Sequence, residues 1–277
     1  MNPGTLFRAR ALKNVFGGDA LARLEGQVVL VPGVIAGEEF VGEITADRRD
    51  YARAVVREIR TVSPDRVTPS CPGAGRCPGC AYMHWRHGAE QQAKLTQLRE
   101  FLAPLAPELE VSGVGFEDAR PEGYRNKIRL QMRKSGGLPQ LGYTAPDGRA
   151  YEVLHCRLAC DAINRELEAR RADPGFFHTL HDRMYLTLRA DNDGVTVFRN
   201  QPSRNLPLLR ETVLGRDFRV PPDGFFQVNP DGLSALTAIL TEMLSGGRYR
   251  RVIDAYAGAG LFGAVAAAAG VPELYGI

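Results

Sequence analysis

The chain lacks any apolar run near the ~20 residues that a membrane-spanning helix needs. After Met1 it also lacks the basic segment and hydrophobic stretch of a secretory signal. Charge of one sign is in little excess, because 35 Lys and Arg residues face 32 Asp and Glu residues, for a net charge of +3. These absences predict a cytoplasmic protein with no membrane partner, and the mild basicity permits a nucleic-acid partner without requiring one.

Cysteine is scarce, and its placement is the most informative feature of the chain. Cys71, Cys77 and Cys80 lie within ten positions, separated by Gly and Pro, and Cys156 and Cys160 are the other two. An odd number of cysteines at ligand spacing favours a reducing compartment in which thiols bind metals and do not form disulfides. A compact Gly/Pro-rich loop lets several sulfurs point at one centre.

Two kinds of metal site and one structural role fit these cysteines. An iron–sulfur cluster needs a fourth thiolate, for which Cys156 and Cys160 are the only candidates. The C-x5-C-x2-C spacing suits structural zinc poorly, although Cys77/Cys80 with Cys156/Cys160 would form two close pairs. Iron–sulfur ligation is the favoured interpretation, and zinc and reduced core thiols are the alternatives.

The first sixty residues have the pattern of a small β-barrel. A length of 277 residues predicts about two domains, and 44% hydrophobic content is ample for their cores. Short β-type runs occupy residues 6–11, 27–31, 40–45 and 52–59, with turn residues between them. Pro64 and Pro69 then interrupt the pattern and place a domain boundary near residue 62. Residues 88–105 follow as an amphipathic helix whose apolar face we expect to be core.

A strand with a basic face is predicted over residues 127–133. Lys127, Arg129 and Arg133 alternate with apolar residues, and Arg125 and Lys134 extend the cationic run, which holds no carboxylate between residues 123 and 134. Such a density suits phosphate contacts on a nucleic acid, and the alternative is a solvated outer face. Downstream, residues 191–194 read Asp-Asn-Asp-Gly and predict a hairpin turn.

The last sixty residues predict a helix followed by a cofactor-binding turn. Asn229 is a candidate N-cap with Pro230 at the first helical position. Residues 251–254 then read as a buried strand that ends in Asp254 and enters Gly258-Ala-Gly260, where glycine lets a cofactor approach the backbone. Because a third glycine for pyrophosphate is not in place, the turn favours S-adenosylmethionine over a dinucleotide.

These motifs, in this order, resemble the RNA (uracil-5-)-methyltransferases, and especially the iron–sulfur-containing branch that acts on 23S ribosomal RNA. The resemblance rests on the barrel ending in residues 63–67, the cysteine loop followed by residues 82–85, residues 123–125, Cys156, residues 225–229 and residues 254–260. It implies an α/β multidomain fold: a TRAM-like, OB-like β-barrel over 1–62, a β-rich iron–sulfur domain over 63–219, and the start of a Rossmann-like class I methyltransferase domain over 220–277.

The resemblance also assigns site residues. It implies a 4Fe-4S cluster held by Cys71, Cys77, Cys80 and Cys156, which leaves Cys160 spare. It implies an S-adenosylmethionine site formed by Gln227, Tyr256, Gly258, Gly260 and Leu261. It places the target base at Phe225, and RNA binding is then expected at Arg125, Lys127, Arg129, Arg133 and Phe225. The implied partner is RNA, ribosomal more than transfer RNA, and the protein is expected to act as a monomer.

The reaction of the resembling family needs two groups that the motifs do not locate here. A cysteine thiolate adds to carbon 6 of uracil, and a base later removes the proton from carbon 5. Both are expected beyond Ile277, so the resemblance implies a C-terminally truncated member with a poorly stable C-terminal part. The alternative of another class is a non-catalytic iron–sulfur or zinc module that binds RNA.

Overall fold

The structure, a computed structural model, describes residues 1–111, 120–135, 138–145, 148, 150–200 and 206–277. It divides into two compact units. Unit 1 comprises Met1–Glu117 and Thr144–Tyr151, and unit 2 comprises Asp118–Tyr143 and Glu152–Ile277. Within the described ranges, no helix has the length and apolar character needed to cross a membrane.

Unit 1 is built on a six-stranded sheet. Its strands are β1 (Leu6–Arg10), β2 (Lys13–Asn14), β3 (Ala20–Leu24), β4 (Gln27–Val31), β5 (Glu39–Asp47) and β6 (Tyr51–Thr61), in the order β1-β5-β6-β4-β3-β2. All neighbours are antiparallel except β4 and β6, which are parallel. All four β-runs predicted in this region are therefore confirmed as strands. Alternation buries Phe40 and Ile44 of β5 while Glu43 between them is partly exposed.

A helix, α1 (His87–Leu102), follows the cysteine loop in unit 1. The helix was expected over residues 88–105, and its existence is confirmed. The expectation that its apolar face is core was wrong, because no residue of α1 is buried and Phe101 is 72% exposed. Polar contacts connect α1 to the sheet region instead. The Gln97 side-chain amide donates to the carbonyl oxygens of Asn14 and Val15, at 3.2 and 3.3 Å.

The main sheet of unit 2 contains β11 (Gly194–Arg199), β10 (Tyr185–Asp191), β7 (Lys127–Ser135) and β8 (Leu138–Thr144), in that order and all antiparallel. Asp191 pairs with Gly194, which confirms the predicted hairpin turn. The alternation predicted for β7 is also confirmed, because Ile128, Leu130 and Met132 are buried on one face. Helix α2 (Asp161–Ala172) contacts β10 and β11. The short strand β9 (Ala150–Glu152) follows β8 as the fifth strand of this sheet, and a short helix, α3 (Pro174–His178), completes the region.

The end of unit 2 consists of a β-hairpin and the first βαβ crossover of an α/β fold. Its elements are β12 (Leu209–Val213), β13 (Arg216–Val220), α4 (Pro230–Leu244), β14 (Arg251–Asp254), α5 (Leu261–Ala268) and β15 (Glu273–Gly276). Asn229 caps α4 by accepting from the Gly232 N–H at 3.1 Å, as predicted. Strands β14 and β15 are parallel. The expectation of a buried strand was wrong for β14, whose Ile253 is 61% exposed, because in the described residues its sheet has only two strands.

Candidate functional site

A tight turn in unit 2 presents one aromatic ring to solvent. The Gly224 N–H donates to the Pro221 carbonyl oxygen at 2.9 Å. A Cβ on Gly224 would lie 3.0 Å from that oxygen, so the close approach favours glycine. Directly after the turn, Phe225 is 78% exposed and Phe226 is 5% exposed. The chain therefore buries Phe226 as an anchor and leaves the Phe225 ring available to a ligand.

A shared hydrophobic core joins this turn to the glycine turn near the C-terminus. The cluster contains five buried residues: Val213, Val220, Phe226, Leu233 and Leu261. Phe226 neighbours both Phe225 and Gln227, and Leu261 directly follows Gly260. The structure thus brings together residues 225–227 and the glycine turn, the two segments to which the resemblance assigns the base and the methyl donor. Because the Leu261 side chain is 6% exposed, a contact from Leu261 to a ligand would use its backbone.

The glycine turn between β14 and α5 is open. Gly258 and Gly260 have φ of +55° and +73°, which non-glycine residues rarely adopt. A Cβ on Gly260 would meet no atom within 4 Å, so space lies above the turn. Tyr256 is 98% exposed at a φ of +60°, and Asp254 accepts from the Gly263 N–H in the first turn of α5 at 3.0 Å. An open, left-handed turn at a helix N-terminus fits a nucleoside-type cofactor.

The basic face of β7 exists as predicted. Lys127, Arg129 and Arg133 lie on the side opposite the buried Ile128 and its apolar neighbours. The Arg129 guanidinium stacks 4.0 Å above the centroid of the Tyr185 ring, which orders it. Burial and the nearby charge of Arg189 lower the pKa of Lys127. Strand β7 contains no carboxylate, so the cations of this face have no acidic partner within their own strand.

Arg125, another predicted RNA contact, is held by main-chain contacts to the segment that follows Cys156. It precedes β7 and bridges to Ala159, and its N–H donates to the Leu158 carbonyl oxygen at 2.7 Å. Its Nε is buried with no hydrogen-bond partner. Burial lowers the pKa of Arg125, but a hydrogen bond with Tyr124 and the nearby Tyr124, Tyr143 and Cys156 raise it overall. Arg125 thus belongs to the loop that carries Cys156, and its role toward RNA stays a prediction.

All five cysteines are outside any disulfide and have intermediate exposure. In unit 1, the Cys77 N–H donates to the Gly73 carbonyl oxygen at 2.7 Å within the tight cysteine loop. In unit 2, the Cys156 N–H donates to Asn164 Oδ1 at 2.9 Å, and Cys160 precedes α2 at its N-cap. Among the residues that the structure describes, no three His, Cys, Asp or Glu side chains are grouped to hold a metal. The thiols are present but a formed metal site is not, so cluster and zinc both stay predictions.

Unit 1 has a concave surface beside α1, which we call the α1 groove. It has a volume of about 770 Å³ and is lined by Phe16, Gly17, Tyr82, Lys94, Gln97, Leu98 and Phe101. Phe16 is 94% exposed. Lys94 lies 4.7 Å above the Tyr82 ring centroid and pairs with Glu90, so its charge is already balanced.

Two arginine–carboxylate pairs with buried partners were not predicted from the sequence. In unit 1, Arg66 pairs with Glu38, which is 0% exposed. In unit 2, Arg189 is 1% exposed and lies 3.4 Å from a Glu211 oxygen. Burial raises the pKa of Glu211, and Arg189 opposes that rise only in part. By strand alternation Arg189 falls opposite the apolar side chains of β10, so no local signal could have revealed its burial.

Comparison with known proteins agrees with these features. No family model matches the chain. An uncharacterised RNA methyltransferase of Halalkalibacterium halodurans is 32% identical over 162 residues, which cover 54% of this chain and 34% of that protein. The 23S rRNA (uracil(1939)-C(5))-methyltransferase RlmD of Shewanella amazonensis is 26% identical, covering 93% of this chain and 68% of that protein. The chain thus spans only about one third of the length of the first of these relatives.

A solved structure shares the fold. The Pyrococcus abyssi tRNA (uracil-54, C5)-methyltransferase, determined in complex with S-adenosyl-L-homocysteine, matches with a TM-score of 0.70 at 19% identity, covering 92% of this chain and 69% of that chain. The fold is thus the mixed α/β fold of a methyltransferase, with several sheets, as expected. The chain is similar to RNA methyltransferases, among them 23S rRNA uracil-C5-methyltransferases, which confirms the resemblance of its motifs.

Proposed function

We propose that this protein methylates carbon 5 of a uridine in RNA, with S-adenosylmethionine as methyl donor and ribosomal RNA as substrate. The names of the relatives support the reaction and the RNA class. The observation that carries the proposal is the shared core that joins the exposed Phe225 to the open turn at Gly260. Methyl transfer requires the base and the methyl donor to be close together. Phe226 and Leu261, which neighbour the two proposed contact segments, pack in the same core.

Each segment has a distinct role in this proposal. The Phe225 ring stacks on the target base, and Gln227 with the turn at Tyr256, Gly258, Gly260 and Leu261 holds the donor. S-adenosylmethionine, when bound, supplies the methyl group. The basic face of β7 binds phosphates, which position RNA without selecting its sequence. The proposal divides the chain into three domains. These are a TRAM-like barrel over residues 1–62, an iron–sulfur domain over 63–219 and the start of the methyltransferase domain over 220–277.

The test of the reaction is genetic and does not depend on any purified fragment. Deletion of the gene should remove one 5-methyluridine from 23S ribosomal RNA, as measured by mass spectrometry of RNA digests. Phe225→Ala at the native locus should have the same effect, because the alanine side chain offers no ring for stacking. The matched control is Phe16→Ala, which removes another exposed ring, in unit 1. Unchanged 5-methyluridine in the deletion strain would refute the proposal, and loss from transfer RNA alone would reassign the substrate.

We further propose that Cys71, Cys77, Cys80 and Cys156 hold a 4Fe-4S cluster. Four partly exposed cysteines outside any disulfide, and a tight loop that packs Gly73 against Tyr151, support it. Protein purified without oxygen should contain iron and acid-labile sulfide in equal amounts. Zinc without iron would overturn the cluster and would support the alternative, a zinc module that binds RNA.

A further inference from the structure

Arg189 is the largest fully buried side chain of the described residues, and it carries a charge. It lies on β10 directly opposite Lys127 of β7. A buried guanidinium loses its hydration, and that loss is offset only by well-placed hydrogen bonds. Its position therefore points to a specific set of acceptors.

Those acceptors are mostly main-chain oxygens of the turn before Phe225. Arg189 Nη1 donates to the Gly224 carbonyl oxygen at 2.8 Å and lies 3.3 and 3.4 Å from those of Pro222 and Pro221. Nη2 lies 3.4 Å from Glu211, at the long end for a hydrogen bond, and Nε has no partner. The tightest contact of the guanidinium is thus with Gly224, the residue next to Phe225.

A second anchor holds the other end of the same segment. The Asn126 N–H donates to the Val228 carbonyl oxygen at 3.0 Å, and the Asn126 carbonyl accepts from Ala190 at 2.8 Å. Residues 225–227 therefore span a short gap between two fixed points, Gly224 and Val228. Gly224 is held by Arg189 of β10, and Val228 is held by Asn126, the residue that directly precedes β7.

We propose that Arg189 is a positioning residue that fixes the Pro221–Gly224 turn so that Phe225 stands ready to receive a base. The role of Phe225 rests on the proposed function, whereas the fixing of the turn does not. A planar guanidinium can serve several carbonyl oxygens at once, and a lysine ammonium in its place lacks the fork geometry. Arg189→Lys should therefore retain the charge and lose much of the positioning.

The first measurement follows the turn itself, by amide hydrogen exchange of the intact chain. In Arg189→Lys and Arg189→Met, exchange over residues 223–228 should be faster by roughly tenfold or more, while the amides of β10 and β11 stay protected. The control is Arg210→Lys, since Arg210 is the neighbour of Glu211 but pairs with Asp193. Unchanged exchange over residues 223–228 in both Arg189 variants would overturn the proposal.

The second measurement reads the consequence for base recognition. Affinity is compared for two ribose-phosphate dodecamers, one fully abasic and one that carries a single uracil base. In the native protein the ratio should be about 5- to 150-fold, as expected for stacking of one base on an aromatic ring. In Arg189→Lys the ratio should fall toward one while the salt dependence is unchanged, because phosphate contacts remain. A ratio that stays at the native value despite faster exchange would overturn the positioning role.

The experiments also distinguish failure of the proposed role of Phe225 from failure of an Arg189 variant to fold. If the native protein does not distinguish the two dodecamers, the proposed function of Phe225 fails, and the exchange experiment still decides whether Arg189 holds the turn. If Arg189→Met does not fold, Gly224→Ala disturbs the same turn from its other side, since its Cβ would lie 3.0 Å from the Pro221 oxygen. Gly224→Ala should reproduce the loss of discrimination, and a native ratio in that variant would contradict the proposal.

Discussion

Replacing Glu38 by Gln should destabilise unit 1 far more than any surface substitution. Glu38 is 0% exposed, and its two oxygens accept from Arg66 at 2.6 and 2.7 Å. They also accept from the N–H groups of Ile35 at 2.8 Å and Ser63 at 3.0 Å. A glutamine amide offers one acceptor oxygen in place of two, and its NH₂ group would face donors.

The magnitude follows from these contacts. Breaking a buried ion pair on one side costs about 3–5 kcal/mol, because the remaining charge stays buried without its partner. In Glu38→Gln that remaining charge is the Arg66 guanidinium, whose side chain is 20% exposed and keeps a 2.8 Å bond to the Gly33 carbonyl oxygen. We therefore expect a loss of about 3 kcal/mol, at the low end of that range. Adding Arg66→Met should recover part of the loss, since it removes the unpaired charge.

The free energy of unfolding is measured by urea titration followed through Trp85. It is the only tryptophan, is 8% exposed, and pairs through a β-bridge with Arg66, so its fluorescence reports on this region. The matched control is Glu43→Gln, since Glu43 pairs with Arg57 at 2.7 Å on the exposed side of the same sheet. The control should change little, because water screens that pair. Equal losses in Glu38→Gln and Glu43→Gln would refute the reasoning.

Three further outcomes are expected. Burial, with the charge of Arg66, lowers the pKa of His84 to about 4 from 6.5, although Glu38 opposes the shift. Below pH 6.5 the unfolded chain therefore binds a proton that the folded chain refuses, and stability should fall by about 3 kcal/mol down to pH 4. His84→Phe should flatten that fall, and an unchanged slope would contradict it. Cys77→Ala should abolish iron binding whereas Cys160→Ala should be mild, and the reverse would show that the ligand assignment is wrong. Lys127→Glu with Arg129→Glu should reduce the slope of log affinity for RNA against log salt by roughly 2, while Arg216→Glu with Arg219→Glu, on β13, should not.

The features that the sequence predicted correctly are those determined by neighbours along the chain. Alternation placed the basic and apolar residues of β7, and the Asn229 cap and the turn at Gly258 and Gly260 depend on short-range geometry. The features it missed depend on segments distant in sequence. Arg189 is buried because a turn 32 to 35 residues later covers it, and no periodicity within β10 encodes that cover.

The same limit explains the errors at α1 and β14. A pattern of apolar residues indicates which face of a helix could pack, but it does not supply a partner for that face. Leu98 and Phe101 of α1 form part of an open groove in the described part of unit 1. Ile253 of β14 likewise lies on a two-stranded sheet. In both cases the residue type was assigned correctly and the burial was not.

The α1 groove affects how unfolding of this protein can be followed with dyes. Fluorescent probes of the naphthalene-sulfonate type emit strongly when they enter apolar surfaces, and their emission is commonly used to detect partly folded states. The groove exposes Phe16, Leu98 and Phe101 in the native protein around a volume of about 770 Å³. We therefore expect bright emission from the folded protein at zero denaturant. A dye titration in this chain needs the Phe16→Ala variant as its baseline.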